Sequence, residues 1–183
     1  MAQNDSAIHD SILLIICDAG PLIHLDELEC IELLTDFDTV LVPDQVWQEV
    51  QHHRPTALAH SKLKLQHVVI PVDTSAVFQG LVHRLTLDLG EQAALSLMVN
   101  YPDAILLTDD AAARLAAQTL NYRAYGTLGI LLRAIRRNQK TAAEVIQILQ
   151  TLPAKSTLHI RRTFLQNLIT EVINFDPNKA QKK

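Results

Sequence analysis

The arrangement of short apolar segments along the chain restricts its fold more than any other feature. The clearest segment, Ile12–Cys17, is a continuous apolar run with three isoleucines, which predicts a strand buried on both faces. Four further short segments also predict strands: 39–42, 68–72, 104–108 and 122–125. Because helical patterns lie between these segments, the order indicates a parallel sheet with helices on both faces.

Helical patterns fill the intervals between the predicted strands and continue after the last one. They cover 21–34, 44–53, a stretch ending near 66, 74–85, 91–100, 111–120, 128–137, 142–152 and about 160–173. Pro153 is expected to separate the last two helices, because proline interrupts a helix. No internal repeat or linker is visible. We therefore predict one domain over 11–173, with about 127–173 as a C-terminal helical part, a flexible N-terminus 1–10 and a tail 174–183.

Composition excludes several classes of function. The chain has 183 residues and a net charge of −4, so nucleic acid could be held only by a local basic patch or by metal ions. No apolar run approaches the ~20 residues that a membrane span requires, and the start lacks the pattern of a signal peptide. Two cysteines occur outside any CxxC pair. These features indicate a cytoplasmic protein with reduced thiols and no membrane partner.

Acidic residues at strand ends form the main candidate site, because no HExxH motif, Cys/His metal spacing or glycine-rich phosphate loop occurs. Asp18 directly follows the first predicted strand, and Asp109 and Asp110 follow strand 104–108. If these strands are neighbours, the carboxylates meet at the edge where parallel sheets bind ligands. Crowded carboxylates repel each other, which predicts a cation between them, and oxygen ligands suit Mg²⁺ or Mn²⁺.

Two helical glutamates extend this candidate site. Glu91 lies in the first turn of its helix on the inward stripe, and Glu49 lies near the apolar side of helix 44–53. Structural roles remain alternatives for every acid. Asp18 and one of the adjacent aspartates fit helix caps, and Glu91 fits a helix N-terminus. Glu49 fits an ordinary exposed position.

Phosphate contacts require basic residues, and three arginines form the clearest group. Arg133, Arg136 and Arg137 have the spacing i, i+3 and i+4, so they share one helix face and are predicted to bind nucleic acid. An ordinary solvated helix face is the alternative. Aromatic residues make up only 4% of the chain, which argues against sequence readout by base stacking.

Five stretches, in their order and spacing, resemble PIN-domain proteins, in particular a bacterial and archaeal subgroup of nucleic-acid-binding PIN proteins. They are Cys17–Ile23, Val42–Val50, Leu89–Leu95, Leu106–Asp110 and Tyr125–Leu132. The resemblance extends over about 13–173. It implies a PIN-like three-layer α/β/α fold with a parallel sheet of about five strands and extra C-terminal helices.

The resemblance also implies a set of site residues. It maps the acidic positions of the family onto Asp18, Glu49, Glu91, and Asp109 or Asp110. Asp18, Glu91 and the aspartate pair would hold metal, with Asp109 favoured as the residue closer to the strand end. Glu49 would hold metal through water or orient the attacking water, and Asp88 is a less favoured substitute for Glu91.

The activity that the resemblance implies is cleavage of single-stranded RNA by an endoribonuclease with Mg²⁺ or Mn²⁺. It extends to the toxin half of a toxin–antitoxin pair, with an antitoxin protein and a second copy of the chain as partners. A non-catalytic PIN scaffold that binds RNA or a protein is the competing expectation. A phosphohydrolase of the haloacid dehalogenase type is disfavoured, because its second Asp is replaced here by Gly20.

Overall fold

The structure is a computed structural model, and it describes residues 13–73 and 75–175. The N-terminus 1–10, which was expected to be flexible, lies outside the described residues. The same holds for Ile12, for residue 74 and for most of the expected tail.

Five parallel strands form one sheet, which confirms the expected three-layer α/β/α architecture. The strands are β1 (Leu14–Cys17), β2 (Thr39–Pro43), β3 (Leu65–Val68), β4 (Ile105–Leu107) and β5 (Arg123–Tyr125). Their order across the sheet is β3-β2-β1-β4-β5, and every neighbouring pair is parallel. The chain thus extends the sheet first to one side of β1 and then to the other. This reversal creates a topological switch point between β1 and β4, where ligands bind in sheets of this kind.

Eight α-helices cover the two faces of the sheet in the described part of the chain. They are α1 (Ala19–Glu27), α2 (Asp44–His53), α3 (Ala76–Leu85), α4 (Leu89–Asn100), α5 (Ala111–Thr119), α6 (Thr127–Arg136), α7 (Ala142–Lys155) and α8 (Arg162–Ile173). Two short 3₁₀ segments, Ile31–Asp36 and Pro55–Leu58, complete the connections.

Alternating strand side chains produce two separate apolar cores. In β1, Ile15 and Cys17 pack with α1, α2, α6, α7 and α8, whereas Ile16 packs with α3, α4 and α5. The same alternation in β4 sends Leu107 to the first core and Leu106 to the second. Because side chains of a strand alternate between faces, a strand covered on both sides must be apolar throughout. This requirement explains why the sequence of β1 is an uninterrupted apolar run.

The first predicted helix is shorter than expected. The pattern predicts a helix over 21–34, but α1 ends at Glu27 and the chain continues as a 3₁₀ segment from Ile31. Glu29 lies between them with a φ of 56°, in the left-handed region that commonly ends a helix. The periodicity continues past this turn because both segments bury leucines in the same core.

Two other predicted bounds are also wrong. The strand predicted at 68–72 is Leu65–Val68, because these residues pair with Val40–Pro43 of β2. Pro153 does not separate two helices but lies inside α7, which continues to Lys155. The helix tolerates this proline near its end at the cost of one amide hydrogen bond.

The C-terminal helices pack onto the sheet. Leu149 of α7 and Leu165 and Leu168 of α8 belong to the same apolar core as Ile15 of β1. Leu131 of α6 is also fully buried there. Core packing therefore accounts for the most apolar residues of α6 and α7.

Two expectations about compartment bear on the described residues. Within these residues, no helix has the length and apolar character that a bilayer crossing demands. Cys17 and Cys30 are both buried and unbonded, as expected for reduced thiols.

The central position of β1 predicts a strong effect of truncating its side chains. Ile16 is completely buried, so Ile16→Ala should leave a cavity and lower the free energy of unfolding by about 2–5 kcal/mol. Val69 is 77% exposed, and Val69→Ala should change the same quantity by less than about 0.5 kcal/mol. Urea unfolding followed by circular dichroism measures both, and equal effects would contradict the described core.

Candidate active site

Asp18 and Thr108 meet at the switch point between β1 and β4. Asp18 follows β1, and its amide donates to the Leu107 carbonyl over 2.9 Å. The Thr108 hydroxyl donates to Asp18 Oδ2 over 2.8 Å, and Asp18 Oδ1 accepts the Ala19 amide over 2.8 Å. The two strands are thus neighbours, as the candidate site required. Asp18 also caps the N-terminus of α1. The same carboxylate therefore stabilises a helix and lies in the candidate site.

Glu91 lies beside the same edge because of a capping box at the start of α4. Its Oε2 accepts the Asp88 amide over 2.9 Å, while Asp88 Oδ1 accepts the Glu91 amide over 2.9 Å. Such reciprocal bonds fix both side chains at the first turn of a helix. Glu91 is nevertheless only 8% exposed, which is rare for a carboxylate without a basic partner.

Glu49 reaches this region from α2. Its Oε2 lies 3.4 Å from the position that a Cβ on Gly90 would occupy, so α2 passes close to the first turn of α4. The Glu49 residue as a whole is exposed, and it therefore lies at the solvent side of the candidate site. Glu49 is thus exposed, as its pattern allowed, and it also lies near Asp88 at the start of α4.

The electrostatics show that these acids interact. Burial raises the pKa of Asp18 to about 6 despite the hydrogen bonds from Thr108 and Ala19, and the negative charges of Asp88 and Glu49 raise it further. The same rule applies to Glu49, whose pKa is raised by burial and by Asp88. Each carboxylate thus makes its neighbours harder to ionise.

Glu91 shows the largest effect in this group. Burial raises its pKa to about 8, against the hydrogen bond from the Asp88 amide, and the charges of Asp88, Asp110 and Asp18 add to the increase. We call the five acidic residues linked by these repulsions the carboxylate cluster. They are Asp18, Glu49, Asp88, Glu91 and Asp110.

The chemistry of the carboxylate cluster fits a hard divalent cation. Its donors are carboxylate oxygens, which Mg²⁺ and Mn²⁺ prefer, and a cation would relieve the repulsion that raises the pKa values. Among residues 13–73 and 75–175, no three His, Cys, Asp or Glu side chains converge closely enough to form a complete ligand set. The cluster is therefore an oxygen-rich region held by the fold rather than a closed coordination cage.

The adjacent aspartates have different environments. Asp109 receives three hydrogen bonds, from His24 Nδ1 over 2.8 Å, the Thr127 hydroxyl over 2.6 Å and the Thr127 amide over 2.7 Å. Burial opposes its ionisation, but these bonds lower its pKa below the usual value. Asp109 thus joins α1 to the start of α6.

Asp110 is the aspartate that interacts with the carboxylate cluster. Its Oδ1 caps α5 by accepting the amides of Ala112 and Ala113 over 2.6 and 2.8 Å. Its charge raises the pKa of Glu91. Asp109 is engaged instead by His24 and Thr127, and which of the two aspartates holds metal stays a prediction.

The three arginines expected to bind nucleic acid are separated from the carboxylate cluster. Arg133 and Arg137 both pair with Asp36, with the Arg137 Nε 3.2 Å from Asp36 Oδ2. The Arg133 guanidinium also lies 4.9 Å from the centre of the Phe37 ring. Asp36 and Phe37 precede β2, so they mark the amino edge of the sheet.

A groove lined by the same arginines extends along the sheet. Arg136 shares this groove with Arg133 and Arg137. Leu13 and Ile105 line it at the starts of β1 and β4, and Leu107 and Tyr125 line it at the ends of β4 and β5. The i, i+3 and i+4 spacing correctly predicts that the three arginines share one side of the helix. On that side, Arg133 and Arg137 form ion pairs with Asp36 at the amino edge of the sheet.

Sequence reasoning missed two contributors to the site, His24 and Thr127, and named Asp88 only as a less favoured substitute for Glu91. Asp88 had a detectable signal, because Asp88 and Glu91 have the spacing of a capping box. His24 and Thr127 lack any local signal, since they lie 85 and 18 residues from Asp109, which they bind. Their roles appear only when the sheet brings α1, β4 and α6 together.

A family model described as a PIN domain matches residues 14–174. The chain therefore belongs to the PIN-domain family. PIN domains are generally nucleases and typically use divalent metal ions. A comparison with curated proteins finds no significant match.

The raised pKa values predict how stability changes with pH when no metal is added. For Asp18 and Glu91 the folded values of about 6 and 8 exceed the ordinary 3.8 and 4.5, so the folded state binds these protons more tightly. Their stabilisation is present below about pH 4 and is lost as the pH rises through 6 and 8. Asp18→Asn should thus gain stability over the wild type, on the order of 1–3 kcal/mol, near pH 8 but not near pH 4.

Thermal unfolding at both pH values, with Glu171→Gln as an exposed control, measures this difference. Added Mg²⁺ should raise the Tm of the wild type more near pH 8 than near pH 5, because protons compete with the cation for the same oxygens. A constant difference between Asp18→Asn and wild type across this range would contradict the repulsion described above.

Gly126 predicts a steric test of the Asp109 anchor. A Cβ at Gly126 would lie 2.5 Å from Asp109 Oδ1 and 3.1 Å from the Thr108 carbonyl oxygen. Gly126→Ala should therefore displace Asp109 and lower the free energy of unfolding by about 1–3 kcal/mol. The matched control is Gly80→Ala in α3, where nothing lies within 4 Å. It should stabilise the protein by about 0.5–1 kcal/mol in the same urea titration, since glycine is unfavourable in a helix.

Proposed function

We propose that this PIN-domain protein is a metal-dependent endoribonuclease that hydrolyses phosphodiester bonds of single-stranded RNA. The observation that carries the proposal is the carboxylate cluster at the switch point. Buried and crowded carboxylates cost free energy in the folded protein, and a site that binds a cation turns this cost into affinity. The family supports a nuclease in general, while the RNA substrate and the cation dependence are part of the proposal.

The residues of the cluster would have different roles, with the buried ones as metal ligands and the exposed one acting on the water. A bound Mg²⁺ or Mn²⁺ supplies charge stabilisation at the phosphate and activation of a water. Asp18 is fixed by Thr108 and the Ala19 amide, so it offers a ligand oxygen in a defined position. Glu91 is fixed by the Asp88 amide, and it offers a second ligand oxygen. Glu49, at the solvent side, would orient the attacking water and accept its proton.

Cleavage of a fluorogenic single-stranded RNA, titrated with Mg²⁺ or Mn²⁺, tests this proposal. Glu91→Gln preserves the shape of the side chain and the oxygen that accepts the Asp88 amide. Asp18→Asn preserves the shape and one of the two accepting oxygens of Asp18. Both variants should therefore fold and lower kcat/KM by about 100-fold or more. Asp110→Asn should reduce kcat/KM as well. Glu171→Gln, at an exposed position of α8, should retain wild-type cleavage.

Cleavage that survives in Asp18→Asn and Glu91→Gln, or that persists in EDTA, would contradict the proposed site. The second candidate function is a non-catalytic PIN scaffold that binds RNA or a protein. It draws support from the absence of a complete three-ligand set among the described side chains. RNA binding by the wild type without cleavage at any metal concentration would favour the scaffold.

A toxin role with an antitoxin protein as partner is a narrower part of the proposal. Its support is the resemblance to toxin-like PIN ribonucleases. Expression of the wild-type chain should arrest growth, and Asp18→Asn should remove the arrest. Equal arrest by both would separate toxicity from the carboxylate cluster.

A further inference from the structure

A cavity of about 830 Å³ lies between the end of β5 and the start of α8. Its volume is in the range of pockets that enclose a small organic ligand. Asp109 forms part of its wall, and Asp109 is the chain neighbour of Asp110 in the carboxylate cluster. The cavity therefore opens next to the candidate active site.

Two aromatic side chains line this cavity and face solvent. Tyr125 is 49% exposed at the end of β5, and Phe164 is 55% exposed in the first turn of α8. Large apolar side chains are seldom this exposed without a binding role when they line a concave surface. Aromatic faces of this kind stack on nucleic-acid bases without selecting a sequence. Two aromatic positions are sufficient for such a subsite even in a chain with few aromatic residues.

The cavity is positively charged although the protein as a whole is acidic. Arg114, His159 and Arg161 line it, and its one acidic wall residue, Asp109, already accepts three hydrogen bonds. Basic side chains next to aromatic faces match a phosphate backbone with attached bases.

Arg114 has unused donor capacity in this cavity. Its Nη2 donates to the Thr108 carbonyl over 3.2 Å, while its Nε is buried and finds no acceptor in the described part of the chain. A buried donor without a partner costs free energy. A phosphate oxygen in the cavity would supply the acceptor after a rotation of the guanidinium.

We propose that this cavity is a nucleotide-binding subsite for single-stranded RNA, in which Tyr125 and Phe164 stack on bases and Arg114 and Arg161 bind the backbone. The RNA then continues past Asp110 to the carboxylate cluster. This inference rests on the proposed action on RNA. The surface is concave and combines cations with aromatic faces, which matches a phosphate backbone that carries bases. The first turn of α8 is thereby part of the substrate site.

Fluorescence anisotropy with a labelled single-stranded RNA tests the subsite without requiring cleavage. Binding is measured in EDTA and again with Ca²⁺ in place of Mg²⁺ or Mn²⁺. Phe164→Ala and Arg161→Ala should each raise Kd by about tenfold. Ile173→Ala removes an exposed apolar side chain from the same helix, and Arg84→Ala removes an exposed arginine from α3. Both controls should change Kd by less than about twofold, and thermal unfolding should show all four variants folded.

The outcomes distinguish the subsite from the catalytic proposal. Lost RNA binding in Phe164→Ala and Arg161→Ala, with Mn²⁺ binding unchanged by calorimetry, supports the subsite whether or not the wild type cleaves RNA. Wild-type Kd in both variants overturns the subsite, even if metal-dependent cleavage is present. No RNA binding by the wild-type protein also overturns it. A changed oligomeric state in Phe164→Ala, with unchanged RNA affinity, overturns it in favour of a protein-docking surface.

Discussion

The interactions of Thr108 connect most parts of the molecule that matter for function. Its hydroxyl donates to Asp18 Oδ2 and accepts the Asp110 amide, while its own amide donates to the Tyr125 carbonyl. Its carbonyl accepts Arg114 Nη2. Thr108 is completely buried, so loss of any one bond would leave a polar group unpaired in the interior. The carboxylate cluster and the β5–α8 cavity therefore share a single buried residue as their common support.

Helix N-termini explain how the acidic cluster persists in the folded chain. Asp18, Asp88 and Asp110 cap α1, α4 and α5, respectively. Each cap places a carboxylate at the positive end of a helix dipole and next to unpaired amides. These interactions offset part of the repulsion, while the raised pKa values of Asp18 and Glu91 show that an excess remains. Structural capping and a chemical role are thus compatible in the same side chains.

The sequence predicted those features that depend on neighbouring residues. The apolar run of β1 and the acid that follows it are features of adjacent residues, so the sequence identified Asp18 as a candidate. The expected pairing of β1 with β4 is confirmed. Features that depend on distant contacts were not predictable. Nothing in Asp109-Asp110 indicates that His24 and Thr127 bind the first aspartate. Likewise, helical spacing groups Arg133 with its neighbours but does not indicate which edge of the sheet they reach.

The position of β5 has a consequence for self-association. This strand is one of the two outer strands of the sheet and has three residues. It adjoins the cavity lined by Ala124, Tyr125 and the chain from Leu158 to Arg161. An open strand edge can template the addition of another chain and lead to aggregation. Here the short length of β5, the charged Arg123 and the nearby segment before α8 restrict such pairing. The sheet is thus protected at an edge that small ligands can still approach.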